Sequence, residues 1–167
     1  MFKNESSYKR FGMLIRRFLW LLPLVIAIFF TVSCASTSKA PENKSTEAKT
    51  FESPSDKGTV FLYRTGRALN AAAQLMVKVN SIDAGGTGPG TFFRWDLKPG
   101  SYTFSSSTGE SSAVVQIDVQ AGQVYFIRQD ARVGIDKGRV SMKEVDSNKG
   151  QREVEKCKLL ISTYVPE

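Results

Sequence analysis

From Gly58 onward the chain alternates short apolar stretches with turn residues, at the spacing of a small β-sandwich or barrel. Seven strands are predicted. Thr59 to Arg64 is a compact apolar run. Leu75, Val77 and Val79 share one face of a second strand, and Phe93, Trp95 and Leu97 one face of a third. Tyr102 and Phe104 point together, as do Val115, Ile117 and Val119. Val124 to Ile127 is apolar on both faces, which suits a central strand, and Val140 and Met142 alternate with Ser141 and Lys143 in a half-buried last strand. Specific turn chemistry separates them. Lys98-Pro99-Gly100-Ser101 has the proline and glycine of a type II turn, Gln120-Ala121-Gly122 puts glycine where a hairpin needs a left-handed residue, and Thr108-Gly109-Glu110 closes another pair. The longer loops fall at residues 65–73, 84–90 and 130–137. Val154, Cys157 and Leu160 recur at helical spacing, so a short amphipathic helix is predicted over residues 151–160. The expected fold class is all-β: a small antiparallel sandwich of about seven strands.

Before Gly58 the pattern changes twice. Residues 35–57 are rich in Ser, Thr, Lys, Glu, Ala and Pro, with Phe51 the only large apolar side chain, and read as a flexible tether. Residues 1–17 are basic, Phe18 to Phe30 is apolar, and Thr31-Val32-Ser33-Cys34 ends in a small residue and a thiol. That layout resembles the signal of bacterial lipoproteins, with Thr31 where leucine is usual. By the resemblance, cleavage falls between Ser33 and Cys34, and Cys34 carries the lipid. The competing reading, an uncleaved membrane helix over residues 18–32, is short: 15 residues span about 22 Å against a hydrocarbon core of roughly 30 Å, and Pro23 interrupts the run. The expected organisation is a signal peptide over 1–33, a lipidated cysteine and linker over 34–57, and a β-sandwich domain over 58–167.

The net charge of +7 invites a nucleic-acid reading, but Lys3, Lys9, Arg10, Arg16 and Arg17 lie in the signal against only Glu5. Without residues 1–33 the charge is +3, so no nucleic-acid partner is expected. The chain has no histidine, which removes the commonest general base, the commonest metal ligand and every histidine-assisted nucleophile; no enzyme activity, metal or cofactor is expected. Of two cysteines, Cys34 and Cys157, the second is read as a small buried hydrophobe.

The segments Gly58-Thr59-Val60-Phe61-Leu62-Tyr63-Arg64, Phe93-Arg94-Trp95-Asp96-Leu97-Lys98-Pro99-Gly100-Ser101-Tyr102, Ala121-Gly122-Gln123-Val124-Tyr125-Phe126-Ile127-Arg128-Gln129 and Cys157-Lys158-Leu159 together resemble a family of bacterial lipoproteins known only as a domain of unknown function. The likeness covers about residues 58–160. It implies an immunoglobulin-like or related sandwich and transfers no catalytic residue.

Candidate sites are few. Gly85 to Gly90 lacks the Lys-Ser/Thr of a phosphate-binding loop and reads as a hairpin loop. Asp83, Asp96, Asp118, Asp130 and Asp136 lack calcium-loop spacing and read as solvated strand ends. Arg128, at the end of a nearly apolar strand, must be paired or face a partner, and an ion pair to a neighbouring strand is the favoured account. Trp95 and Tyr102 could form an aromatic platform for a sugar, although both lie on the alternation expected of core. The expectation is a lipid-anchored module of the bacterial cell envelope, on the outer membrane facing the periplasm, binding an envelope protein or polymer. The alternatives are a small-ligand or glycan-binding domain and a carboxylate-based hydrolase.

Overall fold

A computed structural model of the chain describes residues 37–66, 74–135 and 138–166. In chain order the elements are helix α1 (Glu42–Glu47), a 3₁₀ turn (Ala48–Thr50), β1 (Gly58–Arg64), β2 (Leu75–Val79), β3 (Ile82–Thr87), β4 (Thr91–Leu97), β5 (Gly100–Ser107), β6 (Ser112–Val119), β7 (Val124–Arg132), β8 (Arg139–Val145), helix α2 (Ser147–Val154) and β9 (Lys158–Leu159). They form two facing sheets, a five-stranded one in the order β8-β7-β1-β4-β9 and a four-stranded one in the order β3-β2-β5-β6. The domain is thus mostly β and sandwich-like, with nine strands among the described residues in place of the seven expected.

The alternation read along the chain is the inner face of each sheet. Val60, Leu62, Phe93, Trp95 and Ile127 of the first sheet meet Val77, Val79, Phe104 and Ile117 of the second in one core. β1 breaks the alternation because it is covered on both sides, and all seven of its residues are buried. It lies antiparallel to β4, with Leu62 opposite Phe93, and parallel to β7, with Phe61 beside Phe126. Its outward side chains Phe61 and Tyr63 join Phe92, Phe126, Ala48, Val154 and Cys157 in a second core under the helices. The architecture is three layers: helices, five-stranded sheet, four-stranded sheet.

Part of the segment expected to be a flexible tether belongs to that outer layer. The lone Phe51 anchors it, with its ring 5.4 Å from Phe61 and 5.9 Å from Phe126. Upstream, Ser45 and Ala48 are buried, and the Leu159 N–H donates to Ser45 Oγ at 3.2 Å. A composition that cannot build its own core is ordered by docking one aromatic onto another.

β3 corrects the expected loop at 84–90. Its glycines permit close approach: a Cβ on Gly85, where φ is +111°, would lie 2.9 Å from Thr37 Oγ1, and the Gly86 N–H donates to that oxygen at 2.6 Å. The predicted helix over 151–160 also shifts upstream. Asp146 caps α2 by accepting from the Lys149 N–H at 2.9 Å, and the helix ends at Val154, so Leu160 lies beyond β9. Gly122, at φ +74°, holds the left-handed position its hairpin requires.

Between the sheets sits one buried polar cluster. Gln129 Nε2 donates to Ser106 Oγ at 2.8 Å, and Thr87 Oγ1 donates to Gln129 Oε1. β7 is thereby tied to β5 and β3. Gln129→Ala leaves two buried hydroxyls short of a partner and should lower stability by about 2–4 kcal/mol in urea unfolding, more than the side chain's small apolar content accounts for.

Candidate functional site

Position 128 falls on the outer face of β7, between the Phe126 contact and the open end of the sheet, where α2 crosses. The Arg128 guanidinium is one quarter exposed and bridges two acids: Nε to Asp130 Oδ1 at 2.9 Å and Nη1 to Glu153 Oε1 at 3.0 Å. Glu153 Oε2 also accepts from Tyr63 Oη at 2.6 Å. Burial alone would lower Arg128, but the hydrogen bond and charge of Asp130, with Glu153 behind them, hold it above its ordinary value. Arg128 is thus ion-paired, but with one partner on its own strand and one on α2 in place of the neighbouring strand expected.

This network floors a cleft of ≈ 680 Å³. Thr65 and Gly66 line it just past the end of β1, Cys157 lines it after α2, and Lys149, Arg152, Glu153 and Lys156 line it from α2 and the residues following. Those four recur at intervals of three and four residues, so one helical face carries them, while Gly150 and Val154 turn inward to the sheet. Gly150 lets α2 lie directly on Phe126: a Cβ there would be 2.2 Å from the Phe126 ring.

The cleft's potential nucleophiles are held protonated. Burial pushes the Cys157 thiol up to about 11, with the charge of Lys49 opposing, and its Sγ donates to the Glu153 carbonyl at 3.3 Å. Burial, followed by the bond to Glu153, moves the Tyr63 hydroxyl further above its ordinary value. Both groups hold their proton more tightly when folded than when unfolded. For Cys157 the stabilising contribution is therefore complete below pH about 9, the ordinary thiol value, and is lost as pH rises toward 11. Unfolding free energy should fall by about 2–3 kcal/mol over that interval through Cys157 alone, and Cys157→Ala should flatten the fall in a urea series taken at each pH.

Arg128 and Trp95, the two binding residues expected from sequence, are not brought together. Trp95 is only 3% exposed and points between the sheets, with its ring 5.2 Å from Phe93 and 5.8 Å from Phe104. Its indole N–H donates to Ser162 Oγ at 2.9 Å. Trp95 is thus core, as its place on the alternation implied, and not the aromatic platform weighed against it: its face is covered and its polar edge is satisfied. Asp83 pairs with Lys78 and Asp96 with Arg94, at strand positions far apart in the sheets. Among the described residues no group of three or more His, Cys, Asp and Glu is placed to hold a metal. Ser33, Cys34 and Asp136 lie outside the described residues, as does the apolar run at 18–32; among the described residues no helix is long and apolar enough to cross a membrane. Tyr63 and Glu153 escaped the sequence reading because no local signal joins them to Arg128; the common face of Lys149, Arg152 and Lys156 escaped it because the helix was expected to begin four residues later, past Lys149. Lys149-x-x-Arg152-Glu153-x-x-Lys156, read after an Asp146 cap, would have shown them on one face.

No solved structure matches the chain. An "Uncharacterized protein" of Haemophilus influenzae is 26% identical over 132 residues, covering 78% of this chain and 77% of that protein. The sequence profile of a family described as "Protein of unknown function (DUF2846)" matches residues 54–142, a span that contains β1 through most of β8, including Tyr63 and Arg128, and stops short of α2. With more than half of its length matched, the chain belongs to the DUF2846 family.

Proposed function

We propose that this protein is a lipid-anchored lipoprotein of the bacterial cell envelope, held through Cys34 and probing the periplasm from the outer membrane as a non-catalytic binding or structural module. The observation that carries the anchoring is the order of a basic stretch, the apolar run Phe18 to Phe30, and Ser33 directly before Cys34. Two or three acyl chains there hold a protein durably, where one chain would not. Binding rather than catalysis is favoured by the cleft: its lining carboxylate, Glu153, is engaged by Arg128 and Tyr63, and its thiol keeps its proton. The immunoglobulin-like assignment of the sandwich belongs to the same proposal, supported by two facing sheets around the buried Trp95.

A second reading, a domain that takes a small ligand from the periplasm, is favoured by the size of the cleft, which falls in the range of ordinary ligand pockets. Density-gradient separation of inner and outer membranes tests the location. The wild-type chain should sediment with the outer membrane and Cys34→Ala should leave that fraction. A wild-type chain recovered with the inner membrane or the cytosol contradicts the proposal.

A further inference from the structure

We propose that the cleft between the end of β1, Arg128 and α2 binds the phosphoryl group of an anionic ligand, with Lys149, Arg152 and Lys156 as its cationic contacts. This rests on the reading of the domain as a binding module and names the chemistry it recognises.

Charge points to it first. The described residues contain 16 Lys and Arg against 13 Asp and Glu, a net of +3. The cleft lining alone holds four cations, Arg128, Lys149, Arg152 and Lys156, against Glu153, also a net of +3. Outside the cleft lining the described residues are neutral by count, so the domain's net positive charge is matched by that of one concavity, where field is focused and counter-ions concentrate.

Availability comes second. Elsewhere the cations Lys44, Lys78, Arg94, Arg139 and Lys158 each sit beside a carboxylate, and those that do not, Lys98 and Lys143 among them, do not line the cleft. Among the described residues Lys149, Arg152 and Lys156 make no ion pair, and the carboxylate that shares the cleft lining with them, Glu153, is already taken up by Arg128 and Tyr63. Arg128 is held rigid at the floor, while three cations are left for something outside the chain.

The ordinary account of basic residues on a short helix covers only part of this. Arg152 and Lys156, near the C-terminal end of α2, complement the helix dipole there. Lys149 does not: it lies in the first turn, where a cation opposes the dipole. Its place on the cleft face, three residues before Arg152, is explained by a shared anion. A lining of +3 suits a group carrying more charge than a single carboxylate, and a phosphomonoester holds about −1.5 to −2 at neutral pH. Thr65 and Gly66 add neutral donors at the rim, and the Arg152 guanidinium offers a fork matched to two phosphoryl oxygens. The volume leaves room for an organic substituent, which fits either a soluble phosphate ester or the headgroup of an anionic lipid.

The test is a titration of the full chain, isotope-labelled and carried in phosphatidylcholine bicelles, followed by amide chemical shifts. Inorganic phosphate, against chloride at matched ionic strength, should give saturable shifts at Thr65, Gly66 and Lys149. Arg152→Glu with Lys156→Glu, both exposed, should weaken binding about tenfold or more, whereas the same charge change at Lys98→Glu with Lys143→Glu should alter it by less than about twofold. Unfolding midpoints of the two double variants should match, which separates loss of binding from loss of fold. A further response to bicelles of equimolar phosphatidylcholine and phosphatidic acid, whose headgroup is a phosphomonoester, identifies a lipid headgroup as the source; response to inorganic phosphate alone identifies a soluble ester. Absence of saturable shifts with both probes, or equal weakening in the two double variants, overturns the inference. Because Cys34 lipidation and membrane location are read separately, a chain that stays on the outer membrane without binding phosphate discards this inference and leaves the anchoring reading standing.

Discussion

Phe61→Ala should cost about 3–5 kcal/mol, the largest loss of any single truncation outside the inter-sheet core. Phe61 lies at the centre of the outer layer: fully buried on the central strand, stacked 5.1 Å from Phe126, 6.0 Å from Phe92 and 5.4 Å from Phe51. The Arg94 guanidinium lies 5.7 Å from its ring centre. Removing the ring opens a cavity on the sheet and takes away the surface on which Phe51 docks. Urea unfolding should therefore show the loss in free energy, and limited trypsin digestion of the variant should cut at Lys44 and Lys49 faster than in the wild type. A loss below about 1 kcal/mol, with cleavage unchanged, would mean that residues 42–51 are not packed on the sheet.

Gly150→Ala should destabilise by about 2–3 kcal/mol, although the same change in a solvent-exposed helix gains roughly 1 kcal/mol. The sign reverses because the added carbon meets the Phe126 ring at 2.2 to 2.6 Å, at atoms close to that strand's backbone, where little can yield. Either α2 lifts from β7 or the ring leaves its rotamer, and both disturb the bond between Arg128 and Glu153. Combining Gly150→Ala with Phe126→Leu should recover part of the loss, giving a favourable coupling where two independent core lesions would simply add. A stabilising Gly150→Ala would show that α2 does not lie against Phe126.

What could be read from the chain, and what could not, follows from which contacts are local. Leu75, Val77 and Val79, and Phe93, Trp95 and Leu97, declare their strands because one face meets the second sheet and the intervening residues do not. The run from Thr59 to Arg64 declared burial but not its cause, since the cover on its second face comes from residues 42–51 and 147–157, far away in sequence. β3 was illegible: Asp83-Ala84-Gly85-Gly86 has no apolar alternation, and its glycines answer to Thr37, a contact made only after folding. Arg128 was legible as a residue needing a partner because an arginine on an apolar strand is costly unpaired. Its second acid, Glu153, was not, because no local signal joins residues separated by 25 positions, and the helix that carries it begins at a cap, Asp146, whose role depends on where the preceding strand stops.

The proposed lipid on Cys34 is tested by radiolabelled-palmitate incorporation with intact-mass analysis of the chain expressed in a bacterium, wild type beside Cys34→Ala. The account predicts label on the wild type, none on the variant, and a wild-type mass that lacks residues 1–33 and carries acyl chains. A full-length, unlabelled wild-type chain would contradict it.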